Sequence, residues 1–188
     1  FVSNYPPFPA WSADAVTSPP AVLQQPADPS TPLGVYVHVP FCRKRCHFCY
    51  FRVYTDKNAA EVQSYLDVLT SEWELYAEQP AIAGRPLDFV YFGGGTPSFL
   101  SVRQLDSLVR RLTDVTPWST AAEITFECEP GTLTESKLAS IHQMGITRLS
   151  LGIENFDDRI LEINGRAHRS ADIFRAYDFA RSIEFPQI

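Results

Sequence analysis

Three of the four cysteines in this 188-residue chain lie within eight consecutive positions, and this cluster constrains the chain more than any other feature. Cys42, Cys46 and Cys49 have the spacing C-x3-C-x2-C and come directly after the apolar run 35–39 and Pro40. Thiolates this close in sequence can turn inward from one loop onto one metal centre, and soft sulfur ligands favour iron–sulfur clusters, zinc or copper(I). Three thiolates on a four-iron cluster would leave one iron open to a small molecule.

A structural zinc site is the first alternative, because such sites are normally closed by four ligands. His47 could be the fourth ligand. It directly follows Cys46, however, so the two side chains tend to diverge, and no second CxxC or HxxxH pair lies downstream. A disulfide would leave one thiol over, which is poor chemistry for an oxidising compartment. The spacing therefore favours a cluster over zinc or a disulfide.

The composition predicts one globular domain, since 45% of the residues are hydrophobic and 20% are charged. A net charge of −6 argues against a general nucleic-acid surface. Four cations are nevertheless concentrated at the cysteine loop, where they either form a solvated loop or attract an anionic ligand: Arg43, Lys44, Arg45 and Arg52. No run of 18 apolar residues predicts a membrane span, and no basic segment followed by an apolar core predicts a secretory signal. We expect a cytoplasmic protein, which would suit an oxygen-sensitive cluster.

Residues 1–33 differ in composition from the rest. They contain eight of the fifteen prolines and no Lys or Arg. Proline interrupts both helix and sheet, so we expect a Pro-rich, extended and partly disordered leader. The domain itself is expected over residues 34–188.

From residue 35 onward, a pattern of strand, loop and helix repeats four times. We predict strands at 35–39, 87–92, 124–126 and 146–151. We predict helices at 58–78 and at 170–182, the latter capped by Ser170. Two further helices are expected to follow the N-caps Ser101 and Thr132. Residues 183–188 look like the start of a fifth strand. Such units imply a parallel sheet with right-handed crossovers, so the predicted fold is α/β, a partial (β/α) barrel. An open doubly wound sheet is the alternative. Because the pattern stops where another strand should begin, we expect a chain truncated at its C-terminus.

Unusual residues follow each predicted strand, at the edge where such folds place their functional groups. The cysteines follow the first strand, Gly93–Gly95 the second, Glu127 ends the third and Glu154 follows the fourth. Glycines allow a ligand to approach the backbone closely. Glu127 could accept hydrogen bonds from ribose hydroxyls. The four strand ends therefore predict one shared site.

Four further residues could have either a functional or a structural role. Arg148 and Arg166 could bind carboxylates or form structural ion pairs. Cys128 is far in sequence from the other cysteines and is expected to be a small buried residue. His38, within a valine-rich strand, is expected to be a hydrogen-bonded residue of the barrel interior rather than a catalytic base.

Four motifs resemble those of the radical S-adenosylmethionine (SAM) superfamily, and within it those of the oxygen-independent coproporphyrinogen III oxidase family, which has haem-chaperone-like and methylase-like branches. They are YVHVPFC-x3-C-x-FC from Tyr36, YFGGGTPS from Tyr91, E-x-x-P from Glu127 and RLSLGI from Arg148. The resemblance covers about residues 34–183. It implies a barrel of the radical SAM type.

This resemblance implies that Cys42, Cys46 and Cys49 hold a [4Fe-4S] cluster whose open iron binds the amino and carboxylate groups of SAM. Reductive cleavage of SAM would yield methionine and a 5′-deoxyadenosyl radical that abstracts hydrogen from a substrate. The electron would come from a donor such as flavodoxin or ferredoxin. In the coproporphyrinogen oxidase branch the substrate is a tetrapyrrole precursor that undergoes oxidative decarboxylation.

The resemblance also implies specific contacts with SAM. Tyr36 would lie close to the cluster, Phe48 near the adenine and Glu127 at the ribose. The glycine loop would line the pocket through Gly94, Gly95 and Thr96. Two positions would face a second SAM molecule: Glu154 and Arg166.

Two departures from the family pattern bear on the reaction. Glu154 stands where the coproporphyrinogen oxidase branch has a glutamine that contacts the second SAM. Tyr50-Phe51 follows Cys49, without the further cysteine that true coproporphyrinogen dehydrogenases carry two residues on. The sequence therefore leaves two alternatives to a coproporphyrinogen oxidase-like enzyme: a methyltransferase or cyclopropanase that uses two SAM molecules, and a haem chaperone.

Overall fold

A four-stranded parallel sheet is the framework of the computed structural model, which describes residue 12 and residues 18–188. The strands are β1 (Gly34–Val39), β2 (Phe89–Gly94), β3 (Glu123–Cys128) and β4 (Arg148–Leu151). The helices are α1 (Ser18–Leu23), α2 (Ala59–Ala77), α3 (Val102–Val115), α4 (Glu135–Gln143), α5 (Asp158–Ile163) and α6 (Ser170–Ser182). All four strands occur where the repeating pattern predicts them, with ends shifted by at most two residues.

The order of the strands distinguishes a barrel from a doubly wound sheet. Each strand pairs with the one before it, in the order β1-β2-β3-β4. The next segment continues in the same direction, because Gln187 forms an isolated parallel bridge with Arg148 of β4. A doubly wound sheet would reverse its order and carry helices on both faces. The winding is therefore that of a partial β/α barrel, as predicted, and the doubly wound alternative is wrong.

The two faces of the sheet have different environments because side chains alternate along each strand. The helix-facing side is apolar and buried, with Val37 and Val39 of β1, Phe92 of β2 and Phe126 of β3 in one core with the helices. The other side, here called the inner face, carries polar and aromatic residues: Tyr36, His38, Tyr91, Thr125, Glu127, Arg148 and Ser150. Predicted site residues therefore reach the inner face and the carboxyl ends of the strands.

The Pro-rich leader is not extended throughout. Residues 18–23 form α1, although two prolines lie in it, because the first turn of a helix tolerates proline. The Leu23 carbonyl then accepts from the Ala81 amide, 3.0 Å away, which ties this segment to the domain. The rest of the leader prediction, on 1–11 and 13–17, lies outside the described residues.

Two predicted N-caps are wrong by one or two residues. Thr132 donates to the Glu129 carbonyl at 2.7 Å and ends a 3-10 turn, so Thr134 caps α4 instead. Helix α6 begins at Ser170, but its cap is Arg169, whose amide donates to Asp172 at 2.9 Å. Among the described residues, no helix is long and apolar enough to cross a membrane.

Candidate functional site

The cysteine loop is fixed at its start and in its middle by backbone hydrogen bonds. At its start, the Cys42 amide donates to the Tyr54 carbonyl at 3.0 Å, and the Tyr54 amide donates to Pro40 at 2.8 Å. In its middle, the His47 amide donates to the Asn164 carbonyl at 3.0 Å. The loop is therefore fastened to β1 on one side and to the end of α5 on the other.

Each of the three loop thiols has a different neighbour. Cys42 is buried and accepts a hydrogen bond from the Thr96 hydroxyl at 3.3 Å. Cys46 accepts from Nη1 of Arg166 at 3.1 Å, and Cys49 lies near the Phe51 carbonyl. Burial raises the pKa of the Cys42 thiol, while the Thr96 hydrogen bond opposes that rise.

His47 is not among the residues that line the cavity of these thiols. Its Nδ1 donates to the Ile163 carbonyl at 2.7 Å. The opposite edge of the ring packs against Gly165, where a β-carbon would lie only 2.9 Å from Nε2. Both edges of the imidazole are thus engaged with the segment after α5.

The second strand end brings backbone against the cysteine loop. Gly95 lies so close that a β-carbon there would be 3.0 Å from the Cys42 sulfur and 2.9 Å from the Phe41 carbonyl oxygen. Gly94 has φ +115°, a conformation that side chains with a β-carbon rarely adopt. The glycines predicted to permit close approach therefore do so against the thiol loop itself.

Glu127 is held at the end of β3 by two donors. The Tyr91 hydroxyl donates to Oε1 at 2.7 Å, and the Gly94 amide donates to Oε2 at 3.2 Å. Burial, together with the hydrogen bond to this carboxylate, raises the pKa of Tyr91 to about 12. The carboxylate is consequently fixed in orientation, with lone pairs remaining on both oxygens.

Two adjoining cavities bring the predicted site residues together. One, of about 200 Å³, is lined by the three cysteines, Phe48, Gly94 and others. The second, of about 210 Å³, includes Glu127 and Ser150 in its wall. They share five wall residues: Gly95, Thr96, Glu129, Glu154 and Arg166. Ten of the eleven predicted site residues therefore line these two adjoining cavities.

Tyr36 is the exception. It is 56% exposed on the inner face and lines neither cavity. Its ring stacks on Tyr91 with centroids 5.8 Å apart, so it touches the site through that residue. His38 lies beside it, with Nδ1 3.3 Å from the Tyr36 hydroxyl, as expected for a hydrogen-bonded histidine of the inner face.

Arg166 and Glu154 meet in the shared wall. The Arg166 side chain, only 10% exposed, donates from Nη2 to the Gly152 carbonyl at 2.6 Å and lies 3.5 Å from Glu154. Glu154 has φ +60°, an uncommon conformation for a residue other than glycine. Arg148, by contrast, lies near the amino ends of the strands and pairs with Glu123 at 3.1 Å. Of its two predicted roles, the structure therefore shows the ion pair.

Three residues of the site were not singled out in the sequence. Glu129 and His168 form a buried contact of 2.7 Å between Oε1 and Nδ1, and Tyr91 holds Glu127. Two of them lie within motifs at the strand ends, so their position in the sequence could have identified them. Tyr91 is two residues before Gly93, and Glu129 is two residues after Glu127. Nothing local marked His168.

Two buried polar atoms at the cavities have no hydrogen-bond partner among the described residues: Oε2 of Glu129 and Nε of Arg166. Buried polar groups normally have partners, so an acceptor and a donor remain available to a ligand. Cys128 also lines this wall, but it is buried and burial raises the pKa of its thiol, as expected for a packing residue.

The residues present fit a cluster with a polar ligand beside it. Three thiols line one cavity, the glycine loop packs closely against Cys42, and two residues of the same wall, Glu129 and Arg166, each carry a buried polar atom without a partner among the described residues. Within the described part of the chain, no three His, Cys, Asp or Glu side chains converge on a point that could hold a single ion. The thiolates of a cluster each bind a different iron, so a cluster does not require them to converge on one point.

Comparison with known proteins agrees with this geometry. The sequence model of the Radical SAM superfamily matches residues 36–188. Two curated relatives are heme chaperone HemW of Bacillus subtilis, 37% identical over 157 residues (82% of this chain, 40% of the relative), and oxygen-independent coproporphyrinogen III oxidase of Synechocystis, 31% identical over 159 residues (84% and 34%). This chain thus spans between a third and two fifths of their lengths.

A solved structure gives the same result for the fold. Coproporphyrinogen III oxidase (HemN) from Escherichia coli, described as a radical SAM enzyme, superposes with a TM-score of 0.79 and 29% identity. The match covers 98% of this chain and 42% of that one.

Proposed function

Because this chain belongs to the radical SAM superfamily, which implies a [4Fe-4S] cluster and SAM as cofactors, we propose that it forms the cofactor-binding part of a radical SAM enzyme similar to coproporphyrinogen III oxidase. One observation carries the proposal. The three thiols of a C-x3-C-x2-C loop, the glycine turn and Glu127 line two adjoining cavities with a shared wall, although they come from three different strand ends.

Cys42, Cys46 and Cys49 would hold the cluster, with Thr96 and Arg166 donating to two of the sulfurs. When bound, the cluster would supply the electron for reductive cleavage of SAM into methionine and a 5′-deoxyadenosyl radical, and hydrogen abstraction from the substrate would give 5′-deoxyadenosine.

The chain's own residues would bind and orient SAM. Gly94, Gly95 and Thr96 would line its pocket, Glu127 would accept from the ribose, and Phe48 would cover the adenine. Phe48 is 54% exposed at the cavity mouth, which leaves its ring free to pack on a flat ligand. Tyr36 would act from the inner face, where it stacks on Tyr91.

The substrate proposed from the likeness to coproporphyrinogen III oxidases is a tetrapyrrole precursor that is oxidatively decarboxylated. The electron would come from a small carrier such as flavodoxin or ferredoxin. The cations of the cysteine loop give such an acidic carrier a complementary charge, since Lys44 and Arg45 are exposed there in a chain of net charge −6.

The test uses the full-length protein, reconstituted anaerobically with iron and sulfide and supplied with dithionite and SAM. We expect 5′-deoxyadenosine, measured by chromatography. The matched variants are Cys46→Ala, which should form no 5′-deoxyadenosine, and Cys128→Ala, which should form as much as the wild type. An intact cluster that yields no 5′-deoxyadenosine would refute the proposal.

A haem chaperone is the second candidate, favoured by the HemW relative and by Tyr50-Phe51 in place of a further cysteine after Cys49. A chaperone would bind haem stoichiometrically and would not couple SAM cleavage to a substrate. Haem titration followed by absorbance, alongside the 5′-deoxyadenosine assay with and without coproporphyrinogen III, separates the two candidates.

A further inference from the structure

The contact between Tyr91 and Glu127 joins two strands on the inner face of the sheet. Tyr91 pairs in register with Thr125 of β3, and Glu127 lies two residues farther along the same strand. Both side chains therefore project from the same face as diagonal neighbours. The resulting distance of 2.7 Å from the phenol oxygen to Oε1 is that of a strong hydrogen bond to a carboxylate.

The carboxylate of Glu127 is held by one donor on each oxygen. Tyr91 occupies one lone pair of Oε1, and the Gly94 amide occupies one of Oε2. Each carboxylate oxygen accepts about two hydrogen bonds, so one position on each remains free. Two acceptors fixed side by side in this way match the two hydroxyls of a ribose.

We propose that Tyr91 is a positioning residue that orients Glu127 to accept from both hydroxyls of a ribose diol. This inference rests on the proposed function, in which Glu127 binds the ribose of SAM. Without the phenol hydroxyl, the carboxylate is held only by the Gly94 amide, at the longer distance of 3.2 Å, and its orientation towards two hydroxyls is less well fixed. The raised pKa of Tyr91 agrees with this arrangement, since a phenol beside a carboxylate remains a hydrogen-bond donor at neutral pH.

Tyr91 also connects Glu127 with Tyr36. The rings of the two tyrosines stack with an interplanar angle of 20°. Tyr36 lines neither cavity but packs on Tyr91. Tyr91 therefore contacts two of the residues assigned to SAM binding, Glu127 and Tyr36.

The test is a cycle that combines a protein change with a ligand change. The protein variant is Tyr91→Phe, which removes one hydroxyl and keeps the ring. The probes are S-adenosylhomocysteine and its 2′-deoxy analogue, and their dissociation constants are measured anaerobically by calorimetry on the reconstituted full-length protein. The control is Tyr65→Phe, because the Tyr65 hydroxyl donates to the His38 carbonyl at 2.8 Å and that residue lines neither cavity of the site.

We expect Tyr91→Phe to weaken binding of S-adenosylhomocysteine about tenfold, because a carboxylate that is no longer oriented by Tyr91 loses the equivalent of one charged hydrogen bond to the ribose. Binding of the 2′-deoxy analogue should change much less, because one of the two hydroxyls that need an oriented acceptor is absent. Tyr65→Phe should leave both constants unchanged. A merely structural role for Tyr91 would weaken both ligands equally, and that outcome overturns the inference.

A second pair of variants covers the case in which Tyr91→Phe loosens the strand. In a Glu127→Ala background, Tyr91→Phe should cause no further loss of affinity, because Tyr91 acts through Glu127. An additive loss overturns the inference but leaves the proposed function standing. Failure of the wild-type protein to bind S-adenosylhomocysteine at all would overturn both.

Discussion

Nη1 of Arg166 lies 3.1 Å from the sulfur of Cys46, although the two residues are 120 positions apart in the chain. The same guanidinium reaches the Gly152 carbonyl and lies next to Glu154. Arg166 therefore connects the cysteine loop after β1 with the loop after β4. It places a fixed positive charge beside one of the three proposed cluster ligands.

Replacing Arg166 with Gln should make the cluster harder to reduce. A cation beside a thiolate ligand stabilises the more negative, reduced state, so its loss lowers the reduction potential, by on the order of tens of millivolts. A redox titration monitored by electron paramagnetic resonance measures this shift. The control is Arg148→Gln, which breaks only the exposed pair with Glu123. Equal potentials in the two variants would contradict the prediction.

Replacing Glu154 with Gln should improve binding of ligands that carry a carboxylate. Glu154 now faces Arg166 at 3.5 Å and partly neutralises it, and the change frees the guanidinium for a ligand. The expected gain is on the order of fivefold, or about 1 kcal/mol. Equilibrium dialysis with SAM gives both the affinity and the number of molecules bound, and hence tests whether a second SAM binds. Glu162→Gln, at an exposed pair, is the control. Unchanged affinity and stoichiometry would show that Glu154 does not limit the site.

Replacing His168 with Gln should destabilise the fold. The His168 side chain is fully buried, and its Nδ1 is the neighbour of Glu129 Oε1 at 2.7 Å. Its loss removes one hydrogen-bond partner of a buried side chain, which costs about 1–3 kcal/mol. Urea unfolding followed by circular dichroism measures the free energy of unfolding. Arg110→Gln, at an exposed helix pair, should cost at most about 1 kcal/mol. Equal losses in the two variants would argue against the buried pair as a source of stability.

Tyr91 should ionise at a much higher pH than an ordinary tyrosine. Its pKa is raised to about 12 by burial and by the hydrogen bond to Glu127. The raised value means that the folded state keeps the proton while an unfolded chain loses it near pH 10, so this contribution to stability is lost as the pH rises through about 12. Subtracting the ultraviolet titration of Tyr91→Phe from that of the wild type isolates this residue. In the Glu127→Gln variant, the pKa of Tyr91 should move towards 10. A Tyr91 pKa that this substitution leaves unchanged would assign the shift to burial alone.

Local sequence determined much of this protein. The spacing of Cys42, Cys46 and Cys49 fixed three thiols on one loop, and the period of apolar residues located four strands and the main helices. Because parallel strands align their carboxyl ends, the cysteines, the glycine turn and Glu127 could be placed together before any coordinates were known. These inferences depend on neighbours in the chain or on a general rule of the fold.

Tertiary structure decided which side chains touch. The contacts of Arg166 with Cys46, of Tyr91 with Glu127 and of His168 with Glu129 span 120, 36 and 39 positions. They depend on the register between strands and on the path of each loop. A shift of one residue would turn each strand side chain to the opposite face, so no local pattern encodes these pairs. The sequence identified the ligands of the proposed site, whereas the packing of distant segments chose the residues that orient them.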